Sequence, residues 1–278
     1  MKIDAHQHFW SLARGDYGWL TPDLAPIYRD FSPSDLAPLL AEQGIEGTVL
    51  VQAAPTLEET HYMLALADAH DFIGGVVGWV DFESEDAPQT IAKLSAHPKL
   101  VGLRPMIQDI EDPDWMLGDG LTPAFEAMIA HDLVFDALTL PRHLKNLLQL
   151  IGRHRELKTV IDHGSKPEIE KSNFMSWADD MATLAQETNA SVKLSGLVTE
   201  AGSDWTVETL APYVDHMIEQ FGPSRILWGS DWPVCILASS YQTWCTATHS
   251  LLQGHGESAK AAIMGLNAQR IYNLGGTS

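Results

Sequence analysis

The 278-residue chain is long enough for one large α/β domain, and its 45% hydrophobic and 19% charged residues are typical of a globular protein. Its 37 acidic and 17 basic residues give a formal net charge of −20, which argues against nucleic acid and anionic membranes as partners. We find no signal peptide and no apolar run of transmembrane length, so we expect a cytoplasmic protein. Its two cysteines, Cys235 and Cys245, fit a reducing compartment, with a single disulfide between them as the alternative.

Eight short, nearly continuous apolar runs recur along the chain. Such runs are typical of parallel strands that are buried on both faces. In chain order they are KIDAHQH (2–8), GTVLVQ (47–52), IGGVVGWV (73–80), LVGLRPM (100–106), LVFDAL (133–138), KTVIDHG (158–164), SVKLSG (191–196) and RILWGSDWP (225–233).

Segments with helical periodicity lie between these runs. One helix is predicted over 207–221, where apolar residues recur at steps of three and four and Gly222 ends the helix. Another is predicted over 141–154, with Pro141 in the first turn and an apolar face formed by Leu144, Leu147, Leu148 and Ile151. The alternation predicts a single-domain (β/α)8 barrel over 1–278. A doubly wound open sheet is the alternative, but no glycine-rich phosphate loop follows the first strand.

Residues 9–33 form a long irregular connection that is rich in proline, glycine and aromatic residues. A connection of this length in a compact domain is usually functional. We expect Trp10, Tyr17 and Trp19 from this segment, together with Trp232, to offer apolar faces to a sugar ring.

Polar residues end several of the predicted strands. The active site of a (β/α)8 barrel forms at the carboxyl ends of its strands, so these residues are expected at one mouth. His6 and His8 share one face of the first strand because side chains alternate along a strand. Each group alone is more often structural, but the combination is informative. The set comprises His6, His8, Arg104, His163, Lys166, Lys193, Ser195 and Asp231.

The segments IDAHQHFW, GLRP, DHGSKP, KLSGL and GSDWP, in that order, resemble the amidohydrolase superfamily. More narrowly, they resemble its sugar-lactonase branch, the fuconolactonase- and rhamnonolactonase-like proteins. The resemblance implies a hydrolytic site and a small-molecule substrate, a sugar lactone. It assigns catalysis or metal binding to His6, His8, His163 and Asp231, and substrate contacts to Arg104 and Lys193, to which we add Lys166.

The sequence departs from the two-metal members of that superfamily. No lysine ends the fourth or fifth strand to bridge two ions, and Lys193 stands where a further histidine is sought. Three histidines and one aspartate suit a single Zn²⁺, and they suit equally a water held without metal. We therefore expect one divalent ion at most, held by His6, His8, His163 and Asp231.

The expected reaction is hydrolysis of a cyclic ester. Asp231 acts as general base toward a water, and Arg104, Lys193 or a histidine stabilises the oxyanion. A neutral aldonolactone is favoured over an anionic lactone such as a pyrone dicarboxylate, because Arg104 is the one arginine at a predicted strand end. A Zn-dependent decarboxylase and a non-catalytic barrel that binds sugar acids are further alternatives. The particular sugar, the ring size and the oligomeric state stay open.

Overall fold

The computed structural model describes residues 1–275 and contains eight parallel strands in one sheet, ordered as they occur along the chain. The predicted (β/α)8 barrel is confirmed. Each predicted apolar run contains one strand, and each strand ends one to five residues before its run does. The strands are β1 Ile3–Gln7, β2 Gly47–Val51, β3 Ile73–Gly78, β4 Leu100–Leu103, β5 Val134–Ala137, β6 Thr159–Ile161, β7 Ser191–Leu194 and β8 Ile226–Trp228.

Helices connect the strands and cover the outside of the sheet. The helix predicted over 207–221 has those bounds and is followed by Gly222, whereas the segment at 141–143 is a short 3₁₀ turn before the helix proper. The α-helices are α1 Pro33–Gln43, α2 Leu57–Ala69, α3 Ala87–Leu94, α4 Thr122–Ala130, α5 Leu144–Arg153, α6 Met175–Glu187, α7 Leu197–Glu200, α8 Val207–Phe221, α9 Tyr241–Leu251, α10 Glu257–Ala261 and α11 Asn267–Ile271.

The barrel closes between β1 and the segment that follows β8. The Asp231 N–H donates to the His6 carbonyl at 2.8 Å, and the His8 N–H donates to the Trp232 carbonyl at 2.7 Å. These bonds join the first and last parts of the sheet, which excludes the open-sheet alternative. They also bring the polar ends of the two strands side by side.

The core has two parts. The larger part packs the helices against the outside of the strands. In the smaller part, alternate strand residues such as Ala5, Val49 and Val77 pack with Tyr272 and Leu274 from the end of the chain.

The cysteines and the helices bear on two further expectations from the sequence. Both cysteines are buried free thiols, so the alternative of a disulfide between them is not observed. Within residues 1–275, no helix combines the length and the apolar character needed to cross a membrane.

Candidate active site

Four polar side chains converge at the carboxyl end of the barrel, as the sequence predicted. The Nε2 atoms of His6 and His8 lie 3.1 Å apart. Oδ1 of Asp231 lies 3.3 Å from His8 Nε2, 3.7 Å from His6 Nε2 and 3.9 Å from His163 Nε2. All four side chains are buried, so their nitrogen and oxygen atoms meet away from bulk water.

The segment after β8 is shaped to bring Asp231 to the histidines. Gly229 allows this segment to approach β1, because a Cβ at residue 229 would lie 2.7 Å from the His6 Cβ. Asp231 itself has a φ of 56°, in the left-handed region that non-glycine residues rarely adopt. The GSDWP segment therefore closes the barrel and also supplies the carboxylate.

His163 begins a left-handed turn that follows β6. Its φ is 53°, and the next three residues, Gly164, Ser165 and Lys166, have φ values of 57°, 61° and 50°. Left-handed backbone costs a non-glycine residue roughly 1–2 kcal/mol, so tertiary contacts must hold it. The Trp177 indole N–H donates to the Gly164 carbonyl at 2.7 Å and supplies one such contact.

The KLSG segment packs against the ring of His163. Gly196 has a φ of 69°, and a Cβ there would lie 2.6 Å from His163 Nδ1, so glycine is required for two reasons. The neighbouring Ser195 Oγ forms a hydrogen bond with His163 Nδ1 at 2.8 Å. This contact orients the ring with Nε2 toward Asp231.

A backbone hydrogen bond orients His8. Its Nδ1–H donates to the Val51 carbonyl at 2.7 Å, so the neutral ring presents an unprotonated Nε2 to the site. That lone pair faces Asp231 Oδ1 at 3.3 Å, and two acceptors at this distance repel each other unless a proton or a cation lies between them. The site is therefore built to hold either a hydrogen-bond donor such as water or a metal ion.

Burial and neighbouring charges set the ionisation of the site. Burial lowers the pKa of His163 to about 4, and burial together with Lys193 holds the pKa of His6 well below its ordinary value. Burial alone raises the pKa of Asp231, but its interactions with His163 and His8 outweigh this effect and hold it below the ordinary value. At neutral pH an ionised Asp231 thus faces neutral His6 and neutral His163.

Beneath His6 lies a buried cluster of charges centred on Lys193. Its Nζ donates to Asp136 at 2.5 Å and lies 2.9 Å from Asp162 and 3.0 Å from His6 Nδ1. The hydroxyl of Tyr272 donates to Asp136 at 2.8 Å. Burial raises the pKa of Asp136 to about 6, whereas Lys193 and His6 hold that of Asp162 well below its ordinary value despite its burial.

The expected contact of Lys193 with substrate therefore needs correction. Its side chain is 0% exposed, and it is not among the residues that line the cavity. Lys193 is the third residue of the four-residue strand β7, so it points into the barrel below the mouth. It orients His6 from behind and cannot stabilise an oxyanion in the cavity.

Arg104 connects this cluster to the cavity wall. Its Nη1 lies 3.1 Å from Asp162 Oδ2 and 3.3 Å from His6 Nε2, and its Nη2 donates to the Gln52 side-chain oxygen at 2.9 Å and to the Gln52 carbonyl. Arg104 lines the cavity. Two cations, Arg104 and Lys193, thus balance Asp136 and Asp162.

A cavity of about 230 Å³ opens above the four converging groups. Its wall contains six of the residues predicted to form the site. From that set it is lined by His8, Trp19, Arg104, His163, Lys166 and Asp231. Lys166 lies at its edge, where its Nζ is 3.4 Å from Glu200.

The aromatic residues expected at the substrate divide into two groups. Trp19 lines the cavity as predicted. Trp10, Tyr17 and Trp232 are 0%, 6% and 2% exposed and belong to the core. The prediction that these three side chains contact a substrate is therefore corrected: they pack behind the cavity wall. Trp10 stands edge-on to Trp19 at 5.4 Å between ring centroids, which supports the Trp19 ring from behind.

Several residues of the site were missed from sequence. Asp136 and Asp162 lie in or beside buried strands, and a carboxylate in an apolar strand signals a buried ion pair. Gln52 follows β2 and holds Arg104, while Gln108 lines the cavity with a buried side-chain oxygen that has no hydrogen-bond partner among residues 1–275.

The converging side chains also fit a metal ion. One ligand atom from each of His6, His163 and Asp231 lies within 4.8 Å of the others, and His8 Nε2 adds a fourth. Ligand atoms around a tetrahedral Zn²⁺ lie roughly 3.3 Å apart, close to the shorter distances here. Hydrogen bonds that orient metal-binding histidines from behind are usual in such sites, and His8 has one to the Val51 carbonyl.

A (β/α)8 barrel with a His-x-His pair at the end of β1, a histidine after β6 and an aspartate after β8 defines an amidohydrolase-type site. The family model described as Amidohydrolase matches residues 3–274, so the chain belongs to this family. The resemblance stated from the sequence motifs is confirmed.

Two relatives that match over nearly their whole length are named for the same activity. The chain is 46% identical to an L-fucono-1,5-lactonase of Burkholderia ambifaria over 98% of this chain and 96% of that protein. It is 32% identical to another L-fucono-1,5-lactonase, from Burkholderia multivorans, over 99% and 96% of the two chains. A crystal structure of a Burkholderia multivorans amidohydrolase with bound Zn is 31% identical and superimposes with a TM-score of 0.92, covering 99% of this chain and all of that chain.

Proposed function

We propose that this protein hydrolyses the ester bond of a neutral aldonolactone, of the L-fucono-1,5-lactone type, to the sugar acid. The observation that carries the proposal is an ionised Asp231 held among three histidines at the base of a cavity that suits one sugar ring. The 46% identity to an L-fucono-1,5-lactonase over nearly the whole chain supports the substrate class. The more distant L-rhamnonolactone type belongs to the same chemistry.

In the proposed reaction, Asp231 accepts a proton from a water as the water oxygen attacks the lactone carbonyl carbon. Charge develops on the carbonyl oxygen, where Arg104 or a histidine of the wall donates hydrogen bonds. The bond between that carbon and the ring oxygen then breaks. The ring oxygen leaves with the proton from Asp231, and the new carboxylic acid releases a proton to solution at neutral pH.

We further propose Zn²⁺ as the ion that His6, His8, His163 and Asp231 hold, in a ratio of one per chain at most. When bound, such an ion lowers the pKa of the attacking water and polarises the carbonyl. The donor set of three imidazoles and one carboxylate supports this choice, as does the Zn in the related amidohydrolase. A water held by hydrogen bonds to the same groups is the metal-free alternative.

The charges of the cavity favour a neutral substrate over an anionic one. Arg104 is already paired with Asp162 at 3.1 Å, and Lys166 lies 3.4 Å from Glu200. Asp109 adds a carboxylate to the lining. A dicarboxylate would therefore meet paired cations, whereas hydroxyl groups can bond to these residues without displacing their partners.

The test is a panel of five- and six-membered aldonolactones, each followed by proton release. We expect turnover of neutral lactones of the L-fuconolactone type above the rate of spontaneous opening. Turnover of an anionic lactone alone, or decarboxylation of an aromatic acid, would replace this proposal. Binding of sugar acids without turnover of any lactone would make the barrel a binding protein.

We also propose a cytoplasmic location, which the two buried free thiols support.

A further inference from the structure

The backbone at the end of β2 and just after it holds three side chains of the site. The carbonyls of residues 51–53 accept hydrogen bonds from His8, Arg104 and Trp19, in that order. The last of these joins the Trp19 indole N–H to the Ala53 oxygen at 2.7 Å. Trp19 and Ala53 both line the cavity, so the position of this backbone sets the width of the cavity at one side.

The carboxylate of Glu59, in the first turn of α2, holds this same backbone. Its two oxygens accept the Ala53 N–H at 3.0 and 3.1 Å, and its Oε2 accepts the Ala54 N–H at 2.7 Å. The Glu59 side chain is fully buried. Within residues 1–275 no lysine, arginine or histidine forms an ion pair with it. Burying a carboxylate without a cation is costly, and backbone N–H groups are its compensation here.

We propose that Glu59 is a positioning residue that sets substrate affinity by holding Ala53, and through Ala53 the indole of Trp19, against the cavity. The proposal deepens the lactonase assignment and rests on it. Glu59 does not line the cavity, so it acts on the substrate through Trp19. Glu59 bonds the N–H groups of Ala53 and Ala54, whereas His8 bonds the Val51 carbonyl, which lies outside these two peptide units. We therefore expect the effect on binding to exceed the effect on turnover.

The surroundings of Glu59 support a dependence of this effect on pH. Burial raises the pKa of Glu59 to about 7, and the nearby Asp16 adds to the rise. The titratable groups that face it are Asp16 and Tyr17 from the long connection and Tyr62 from α2, while Arg14 pairs with Asp16 at 2.6 Å. Protonation removes acceptor capacity from the carboxylate, so its hydrogen bonds with the Ala53 N–H weaken as the pH falls through about 7.

The variant Glu59→Gln tests the proposal, because it keeps the shape and turns one acceptor into an NH₂ group that opposes a backbone N–H. Kinetics are measured on whichever neutral lactone the wild type hydrolyses. We expect KM to rise about tenfold, the effect of one lost charged hydrogen bond, with kcat within about twofold of wild type. Glu58→Gln, on the exposed side of the same turn, is the matched control and should leave both constants unchanged.

Coupling to Trp19 separates positioning from general stabilisation. Trp19→Phe keeps an aromatic ring but removes the donor to Ala53, so it should raise KM as well. If Glu59 acts through Trp19, the double variant should have a KM no higher than the worse single variant. Multiplicative effects on KM, an unchanged KM in Glu59→Gln, or a loss of kcat with KM intact would each overturn the proposal.

The wild-type enzyme offers a test that does not depend on Glu59→Gln folding. Its KM should rise as the pH falls from 8 toward 6, and this rise should be absent in Trp19→Phe, which separates Glu59 from the histidines of the site. A pH profile that is the same in both proteins would refute the role. Absence of wild-type turnover on every lactone would refute the lactonase function itself, and the role of Glu59 with it.

Discussion

The substitution Asp231→Asn removes the proposed base while keeping its shape. In the structure Oδ1 of Asp231 lies 3.3–3.9 Å from three imidazole nitrogens, and the backbone N–H of Asp231 is bonded to the His6 carbonyl, so an amide can occupy the same place. The amide cannot accept the proton of the water. Positioned general bases contribute roughly 10²–10⁴-fold, which corresponds to about 3–5 kcal/mol of barrier, and we expect kcat to fall by that factor.

Proton release during lactone opening, measured in a weakly buffered indicator solution, gives the rate after the spontaneous opening is subtracted. Asp215→Asn on the exposed side of α8 is the control for handling and folding, and it should have wild-type kcat. Circular dichroism of both variants should match the wild type. An Asp231→Asn protein that keeps more than about a tenth of wild-type kcat would contradict the assignment of the base.

Three further predictions concern the metal, the aromatic wall and the arginine. Elemental analysis of the purified protein should give at most one equivalent of divalent ion per chain; two tightly held equivalents would reveal an unrecognised bridging ligand. Trp19→Ala should raise KM with little loss of stability. Because the Trp10 side chain is fully buried, Trp10→Ala should lower the free energy of unfolding, measured by urea titration, by about 3–5 kcal/mol. The reverse pattern would exchange the roles of the two residues. Arg104→Lys should lower kcat/KM on a neutral lactone by about tenfold, because a lysine amine can replace only one of the several hydrogen bonds that the Arg104 guanidinium donates to Gln52 and Asp162. A wild-type enzyme that acts on a dicarboxylate lactone alone, with an inactive lysine variant, would show that the arginine clamps a carboxylate.

The barrel and the meeting of the four side chains proposed for catalysis follow from sequence because both depend on simple periodicities. Eight apolar runs separated by helical segments specify a closed parallel sheet, and the ends of those runs must share one mouth. His6, His8, His163 and Asp231 stand at such ends and meet as expected. Their meeting requires no knowledge of side-chain depth, because each of them lies within three residues of the last residue of a strand.

The same reasoning could not predict how deep in the barrel each side chain lies. The sequence placed Lys193 at the mouth of the barrel. In the structure its side chain lies below the mouth and binds Asp136 and Asp162. The sequence did contain a signal, because Asp136, Asp162 and Lys193 each lie inside an apolar run. Buried charges require partners, so three such residues indicate an ion-pair cluster inside the barrel. The aromatic residues of 9–33 posed the same difficulty, because in an irregular segment no period tells an inward ring such as Trp10 from a cavity-lining one such as Trp19.

The balance of charge beneath His6 leads to the last prediction, on Lys193→Met. Lys193 and Arg104 together neutralise Asp136 and Asp162, and removal of Lys193 leaves a buried carboxylate without its cation. Breaking a buried pair in this way typically costs about 3–5 kcal/mol, so the single variant should unfold at much lower urea concentration. Asp136→Asn combined with Lys193→Met restores neutrality, with Arg104 still paired to Asp162, and should recover a large part of that stability. The double variant should nevertheless turn over slowly, because His6 Nδ1 has lost the Lys193 contact at 3.0 Å that orients it. A double variant that is less stable than Lys193→Met alone would show that the two residues do not compensate each other, and a double variant with wild-type kcat would remove Lys193 from the support of His6.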